Sequence, residues 1–201
     1  DMTRRAPSLL VLPLLALGGL MLLLWQGRLR WVGLAGVAAA AWIWQGAARP
    51  ALLIADSGTL VGMMTPAGRA LSREKTAGFV ARNWLENDGD GAAQASAAAR
   101  WRSSGVIHLS GKRALAAFAG CDRSQVVIVS VPAAPPPGTS CLWFDRDSLR
   151  GTGAVALAPL AGGWKITTAR AVTGNRPWTR WPEVPAHATV REIPSAREKE
   201  G

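Results

Sequence analysis

The sequence has no tyrosine, two cysteines and two histidines among its 201 residues, although it contains ten tryptophans. Two histidines supply little for a zinc hydrolase, which needs several His or carboxylate ligands converging on one ion. The GxxxxGKS/T, GxGxxG and GxSxG patterns are also missing, so neither a phosphate-cradling loop nor an esterase nucleophile has support. We therefore expect no catalytic residue, no metal and no cofactor.

Charge is scarce in the first quarter of the chain. Residues 1–50 carry five of the 23 basic residues and one of the 13 acidic residues, and they are otherwise almost wholly apolar. The other 18 basic and 12 acidic residues lie in residues 51–201, whose composition is typical of a soluble domain with a basic surface. We predict a membrane segment over residues 1–49, a small domain over 50–181, and a Pro-rich, then charged and disordered tail over 182–201.

Two apolar runs fill the predicted membrane segment. Residues 9–25 are 17 residues without a charge or an amide, near the lower limit of about 17–25 residues for a bilayer-spanning helix. Residues 31–44 reach a similar length only when extended to about 29–48, and tryptophans stand at the ends of both runs, where the membrane interface suits them. These runs predict a two-helix transmembrane hairpin in contact with the lipid bilayer. A cleaved signal peptide is the alternative, because two arginines precede the first run.

The sequence after residue 50 predicts a small mixed α/β domain. Apolar runs at residues 52–55 and 60–64, separated by Asp56-Ser57-Gly58, predict a β-hairpin. Residues 76–86 have helical spacing, and residues 125–131 form an apolar, β-branched run that is typical of a strand buried on both faces. The predicted buried stripe of the helix consists of Phe79, Val80, Trp84 and Leu85. Further strands are predicted at residues 106–110, 141–144, 154–158 and 164–169.

Neither histidine lies within a metal-binding pattern. His108 and His187 are far apart in the sequence, and the prolines around His187 argue against a helix that would place Glu183 on the same face. Residues 87–91 resemble the start of a calcium loop, but such a loop needs a bidentate glutamate a few residues later, and none follows before Glu183. We therefore favour structural roles for these residues over metal binding or Cys–His catalysis.

The two cysteines, Cys121 and Cys141, flank the predicted buried strand and a Pro-rich loop. In an oxidising compartment they can form one disulfide, which would contribute about 3 kcal/mol by the loop-closure relation. In a reducing compartment they would be two buried free thiols. We favour the bridge.

Residues 170–181 place basic side chains next to tryptophans. Such a pattern suits single-stranded nucleic acid, because the phosphates meet cations while the bases stack on flat rings. The alternative is a loop whose tryptophans pack on the edge of the domain. The candidate DNA-contacting residues are Arg170, Arg176, Trp178, Arg180 and Trp181.

An ordered set of motifs runs through the chain: ARPALLIADSGTLVGM, GFVARNWLENDGD, GCDRSQVVIVS, CLWFDRDSLRGTGAVAL and TARAVTGNRPW. Together with the predicted membrane hairpin, this order resembles the C-terminal end of ComEC-type competence proteins, particularly the alphaproteobacterial forms, over residues 9–181. These proteins are inner-membrane channels for DNA uptake, and many of them end in a metallo-β-lactamase-like domain. Because the chain starts at Asp1 and soon enters an apolar run, we also expect that sequence upstream of it is missing.

In that domain, the strand corresponding to residues 125–131 leads into a metal-binding loop that contains histidine. This sequence has Ser130-Val131-Pro132-Ala133 instead, so the resemblance implies a degenerate, metal-free and non-catalytic version of the domain. The resemblance also implies a multi-pass location in the inner membrane with the domain in the periplasm. The implied partners are single-stranded DNA and an upstream channel domain of the same protein.

The function implied by the resemblance is a supporting role in the transport of single-stranded DNA during natural transformation. The alternative from a different class is a membrane-anchored periplasmic module that binds protein or stabilises a larger assembly and has no nucleic-acid role. The expected fold class is a two-helix transmembrane hairpin followed by a small mixed α/β domain, degenerate and metallo-β-lactamase-like.

Overall fold

The computed structural model describes residues 10–45, 49–102, 105–161, 163–174, 178 and 182. The chain divides into two compact units, Asp1–Arg49 and Pro50–Gly201. The described residues contain seven helices and eight strands, and the strands form two sheets. In chain order the elements are α1 (Val11–Leu24), α2 (Arg30–Gln45), β1 (Leu52–Ile54), β2 (Val61–Thr65), β3 (Gly68–Leu71), α3 (Gly78–Asn87), α4 (Gln94–Ala99), β4 (Val106–Leu109), α5 (Gly111–Ala116), β5 (Val126–Val129), β6 (Leu142–Phe144), α6 (Arg146–Thr152), β7 (Val155–Leu160), β8 (Gly163–Thr168) and α7 (Ala169–Thr173).

The first unit contains α1 and α2, which pack closely at two glycines. A Cβ atom on Gly33 would lie 2.6 Å from the carbonyl oxygen of Gly18, and one on Gly18 would lie 2.8 Å from the carbonyl oxygen of Gly33. Any larger residue at either position would push the helices apart, because Cβ atoms do not approach backbone oxygens this closely. Many of the large apolar side chains of this unit are exposed, including Leu12, Leu23 and Trp42.

The transmembrane hairpin predicted from the sequence is wrong. α1 has 14 residues and α2 has 16, and at about 1.5 Å per residue the longer helix extends about 24 Å, less than the roughly 30 Å of a bilayer core. α1 ends at Leu24 because Trp25 is extended, with φ −94° and ψ 128°. No helix in the described part of the chain is long and apolar enough to cross a membrane.

The same finding corrects two further expectations. The predicted multi-pass location in the inner membrane, with the domain in the periplasm, depended on the two membrane spans and is wrong. The expected fold class, a transmembrane hairpin before the domain, is replaced by an α/β fold of seven helices and two sheets within the described residues.

The larger sheet has five antiparallel strands in the order β3-β2-β1-β7-β8. The hairpin predicted around Asp56-Ser57-Gly58 is confirmed, since β1 pairs with β2 and Leu53 faces Gly62. Gly58 has φ +66°, and a Cβ atom there would lie 3.0 Å from the carbonyl oxygen of Val129. Glycine is therefore needed at this turn both for its left-handed backbone and for its close approach to β5.

The smaller sheet has three parallel strands in the order β4-β5-β6. All four residues of β5 are buried, which confirms the strand predicted at residues 125–131 as one covered on both faces. The connection from β4 to β5 contains α5. The connection from β5 to β6 is a Pro-rich crossover without a helix, which we call the Pro-rich crossover (residues 130–141).

Three apolar clusters hold the second unit together. The central cluster joins the two sheets face to face, because it contains Leu52 and Leu157 of the larger sheet together with Ile128 and Phe144 of the smaller one. A second cluster packs α3 and α4 against β3. The third covers the opposite face of the smaller sheet with residues of α5, the Pro-rich crossover and the segment between α5 and β5. The sheets thus lie between two outer layers.

The helix predicted at residues 76–86 is confirmed as α3, but its buried stripe differs from the prediction. Of the four predicted residues, Leu85 is buried and Val80 and Trp84 are partly buried against the same cluster, whereas Phe79 is 81% exposed; Ala81, which was not predicted, is buried. α3 begins only at Gly78, after Ala77 in a left-handed conformation. Phe79 therefore lies in the first turn, on the side of the helix that does not face β3.

Candidate functional site

The carboxyl ends of the parallel strands form a candidate site, because ligands of open α/β sheets bind beyond these ends. Ser110 follows β4, Ser130 follows β5 and Asp145 follows β6. The parallel register of β4, β5 and β6 brings all three residues to one edge of the smaller sheet.

Asp145 is the N-cap of α6 and is 1% exposed. Its carboxylate accepts hydrogen bonds from the backbone N–H of Ser148 at 3.0 Å and of Ala133 at 3.1 Å, and the Ser148 hydroxyl accepts from the Asp145 N–H in return. Burial alone would raise the pKa of this carboxyl, but the hydrogen bonds from Ser148 and Ala133 outweigh it and hold the pKa below its usual value. Asp145 is therefore an ionised cap of α6 that also anchors the Pro-rich crossover.

The segment Ser130-Val131-Pro132-Ala133 is held by hydrogen bonds to its surroundings. The backbone N–H of Gly111 donates to the Ser130 hydroxyl at 2.9 Å. The indole N–H of Trp143 donates to the carbonyl oxygen of Ala133 at 2.8 Å. The polar groups at this edge of the sheet thus serve to fix the start of the Pro-rich crossover.

His108 lies in β4 and its Nε2 is 3.0 Å from the carbonyl oxygen of Gly58. The carbonyl oxygen can only accept, so Nε2–H donates. Burial lowers the pKa of His108, and the nearby Arg73 lowers it further, against the effect of the bond to Gly58. His108 is therefore a neutral donor that attaches the β1–β2 turn to the smaller sheet. The other histidine, His187, and Glu183 lie outside the described residues.

The aspartates of the acidic run at residues 87–91 form ion pairs with arginines of the same domain. Asp88 pairs with Arg69, which is 1% exposed, and Asp90 pairs with Arg100. Both carboxylates are therefore already paired with arginine side chains, and neither is available as a ligand for a metal cation. Within the described residues, no group of three or more His, Cys, Asp or Glu side chains could hold a metal ion.

Cys121 and Cys141 are joined in a disulfide, with their Cα atoms 5.8 Å apart. The bridge ties the segment before β5 to the end of the Pro-rich crossover, immediately before β6. Both cysteines pack against the cluster of Leu109, Val127 and Val129. Phe118 and Trp143 of the same layer contact each other, with ring centroids 5.9 Å apart.

Two of the five candidate DNA-contacting residues are described. Arg170 lies in α7, and Trp178 is 75% exposed. The other three candidates, Arg176, Arg180 and Trp181, lie outside the described residues.

Arg170 attaches α7 to α6, a helix that carries two further arginines, Arg146 and Arg150. Its Nη1 donates to the carbonyl oxygen of Gly151 at 3.3 Å, and α7 packs against α6. α6 buries Leu149 and exposes Arg146 and Arg150, whose spacing of four places them side by side on one face. We call Arg146, Arg150 and Arg170 the arginine surface. Only the spacing of Arg146 and Arg150 in the short helix after Asp145 hinted at this pair in the sequence.

Among the described residues, Asp147 is the acid that forms an ion pair with the arginine surface. Asp147 approaches Arg150 at 4.0 Å, and both side chains are more than a third exposed. An exposed pair at this distance contributes little, since water screens it. The arginine surface therefore keeps a net positive charge.

Comparisons with known proteins return no match: no family model, no curated protein and no solved structure matches the chain.

Proposed function

We propose that this protein is a non-catalytic component of DNA uptake that binds single-stranded DNA through the arginine surface. The observation that carries the proposal is the bond from Arg170, which the sequence motif selects, to Gly151 of α6, the helix that also exposes Arg146 and Arg150. Arginines on two helices that contact each other can bind phosphates of one strand, because guanidinium matches phosphate in geometry. The ordered motifs that resemble ComEC-type proteins support the DNA-uptake context.

The charge of the whole chain supports the same proposal. The formal net charge is +10 at pH 7, and residues 51–201 contribute +6 of it, from 18 basic and 12 acidic residues. A basic protein attracts the phosphate backbone independently of its sequence, which is what a protein that handles incoming DNA of any sequence requires.

The non-catalytic part of the proposal rests on Asp145 and His108. Asp145 is the acid at the carboxyl edge of the smaller sheet, and its carboxylate is bound by the N–H groups of Ser148 and Ala133. His108 donates to Gly58 from a partly buried position. Both side chains thus have structural partners in place of a substrate or a metal.

The test is the binding of a fluorescein-labelled oligothymidylate of about 16 nucleotides to the full chain, measured by anisotropy over a series of salt concentrations. In the double variant Arg146→Gln/Arg150→Gln, we expect weaker binding and a salt slope smaller by about 1.4, because each phosphate contact on a single strand contributes about 0.7. The matched control is Arg82→Gln/Arg123→Gln, which removes the same charge from exposed positions elsewhere. Equal affinities and slopes for the two double variants would refute the role of the arginine surface.

The second candidate function is a module that binds protein or stabilises an assembly, with no nucleic-acid role. The observation that favours it is the apolar surface of α1 and α2, where Leu23 is 85% exposed and Trp42 is 81% exposed. Extended apolar surface of this kind marks interaction sites. If the full chain does not bind the oligonucleotide at low salt in the anisotropy experiment, the DNA-binding proposal fails and the protein-binding module becomes the favoured function.

A further inference from the structure

A pocket of about 650 Å³ lies between the β2–β3 turn and the C-terminal end of α4. Its apolar lining includes Met63, Met64 and Pro66, and its polar lining includes Arg100 and Arg102. The pocket is wide open to solvent, so a ligand would lie against its lining and stay partly exposed. An apolar lining with a few polar groups suits a ligand that has one flat apolar part and one charged part.

The β2–β3 turn that lines this pocket is fixed in place. The Thr65 hydroxyl donates to the carbonyl oxygen of Gly68 at 2.6 Å. Gly68 has φ +103°, and a Cβ atom there would lie 2.6 Å from Oδ2 of Asp90 and 2.8 Å from Nη1 of Arg100. The turn is therefore packed directly on the Asp90–Arg100 pair.

The two arginines of the pocket differ in their partners. Arg100 pairs with Asp90 and also donates to the carbonyl oxygen of Arg69, so its charge is neutralised. Arg102 is exposed, and its Nη1 donates to the carbonyl oxygens of Ala99 at 3.2 Å and Trp101 at 3.0 Å. Among the residues that the structure describes, no carboxylate pairs with Arg102. The positive charge of the pocket is thus that of Arg102, which two backbone bonds orient.

We propose that this pocket binds one nucleotide, with the base against Met64 and Pro66 and the phosphate against Arg102. Methionine sulfur contacts aromatic rings favourably and adapts to rings of different size, which suits any base. The guanidinium of Arg102 pairs with phosphate oxygens through charged hydrogen bonds. The proposal rests on the proposed function, because it adds a nucleotide site to the binding of a single strand.

The test uses thymidine monophosphate and thymidine, each titrated into the full chain and followed by ligand-observed NMR. We expect Arg102→Gln to weaken the binding of the monophosphate about ten-fold and to leave thymidine almost unchanged, because the charged hydrogen bonds go to the phosphate. The control Arg82→Gln, which removes an exposed charge from α3, should leave both affinities as they are. Equal effects of Arg102→Gln and Arg82→Gln would overturn the proposal.

A second pair of variants tests the apolar lining. Met64→Gln keeps the length of the side chain but makes it polar, so we expect weaker binding of both thymidine and its monophosphate. Met64→Leu keeps an apolar side chain of similar volume and should restore binding. Melting curves of all variants verify that the fold persists. If the unaltered chain binds no monophosphate at concentrations up to about 10 mM, the pocket is not a nucleotide site.

The same variants separate this proposal from the proposed function. If the oligothymidylate binds and depends on Arg146 and Arg150 but not on Arg102, the pocket proposal fails and the proposed function stands. If the monophosphate binds and depends on Arg102 while the oligothymidylate does not bind, the pocket is a nucleotide site and the proposed function fails.

Discussion

At the scale of single residues, the Arg69–Asp88 pair is the most deeply buried ion pair among the described residues, with side chains 1% and 8% exposed. Arg69 also donates to the carbonyl oxygens of Gly62 and Pro50. The pair therefore connects the C-terminal end of α3 to β2 and to the first residue of the second unit. The cost of removing only one charge is large, because the other charge stays buried.

The first prediction concerns this pair. Asp88→Asn should lower the free energy of unfolding by about 3 kcal/mol, because Arg69 loses its carboxylate while it remains buried. Urea denaturation followed by tryptophan fluorescence measures the change. The control Asp122→Asn alters an exposed carboxylate and should change stability by less than about 0.5 kcal/mol. Similar losses for the two variants would contradict the role assigned to Asp88.

The second prediction concerns the pH dependence that Asp90 contributes. The hydrogen bond from Arg100 holds the pKa of the Asp90 carboxyl below its usual value of 3.8, although burial opposes this. A carboxyl with a depressed pKa stabilises the folded state above its unfolded pKa and loses that effect as pH falls through the folded pKa.

The measurement compares the unaltered chain with Asp90→Asn. The difference in unfolding free energy should be constant above about pH 5 and should shrink below about pH 3.8, where the Asp90 carboxylate takes up a proton. Denaturation curves at a series of pH values give this difference directly. A difference that is the same at all pH values would mean that the Asp90–Arg100 pair does not contribute to the pH dependence.

At the scale of elements, the Pro-rich crossover is unusual because it joins two parallel strands without a helix. It is fixed at its start by Asp145 and Trp143, which bind Ala133, and at its end by the disulfide at Cys141. Between these points the backbone N–H of Thr139 donates to the carbonyl oxygen of Pro136 at 3.2 Å. Prolines restrict the unfolded chain as well, which lowers the entropy lost when the crossover is ordered.

The third prediction concerns the disulfide. Cys121 and Cys141 are separated by 20 positions, and closing a loop of this size stabilises the folded state by about 3 kcal/mol relative to the reduced chain. Dithiothreitol should therefore lower the melting temperature of the unaltered chain. The double variant Cys121→Ser/Cys141→Ser should melt at the temperature of the reduced protein and should not respond to the reductant. A melting temperature that the reductant does not change would refute a stabilising role for the bridge.

The α6–α7 pair shows how short elements can form a surface that neither has alone. α6 has seven residues and α7 has five, so neither would be a stable helix in isolation. α6 is held by the capping box of Asp145 and Ser148, and α7 is attached to it through Arg170 and Gly151. The arginine surface therefore depends on Asp145, although this residue carries no positive charge.

At the scale of the whole molecule, all three apolar clusters of the second unit consist of residues from 52 onward. The unit Pro50–Gly201 also contains both sheets and the disulfide. A chain segment with a complete core of its own meets the physical requirement for independent folding.

The fourth prediction follows from this distribution. Residues 50–201, produced without residues 1–49, should fold, form the disulfide and unfold in one cooperative transition. Circular dichroism over a temperature scan and mass spectrometry of the cysteines measure these properties. A gradual loss of signal without a cooperative transition would show that the second unit needs residues 1–49 to fold.

The sequence by itself determined the elements whose cause is local. The β1–β2 hairpin follows from the turn residues Asp56-Ser57-Gly58. β5 follows from an uninterrupted β-branched run, because such a run is buried completely when both faces of its strand are covered. The start of α3 was less predictable, because the left-handed Ala77 delays the helix to Gly78 and leaves Phe79 exposed. Apolar runs at residues 9–25 and 29–48 also predicted membrane spans, but helix length depends on where the backbone turns, which composition does not specify.

Only the tertiary structure decided which distant residues meet. The pairing of Arg69 with Asp88, the bond from Ala133 to Asp145 and the position of Arg170 beside α6 each join segments that are separated along the chain. Sequence periodicity predicts on which face of its own helix or strand a residue lies. It does not predict which other helix or strand packs against that face. Of the arginine surface, the sequence accordingly predicted only Arg170, while Arg146 and Arg150 were found from the packing of α6 against α7.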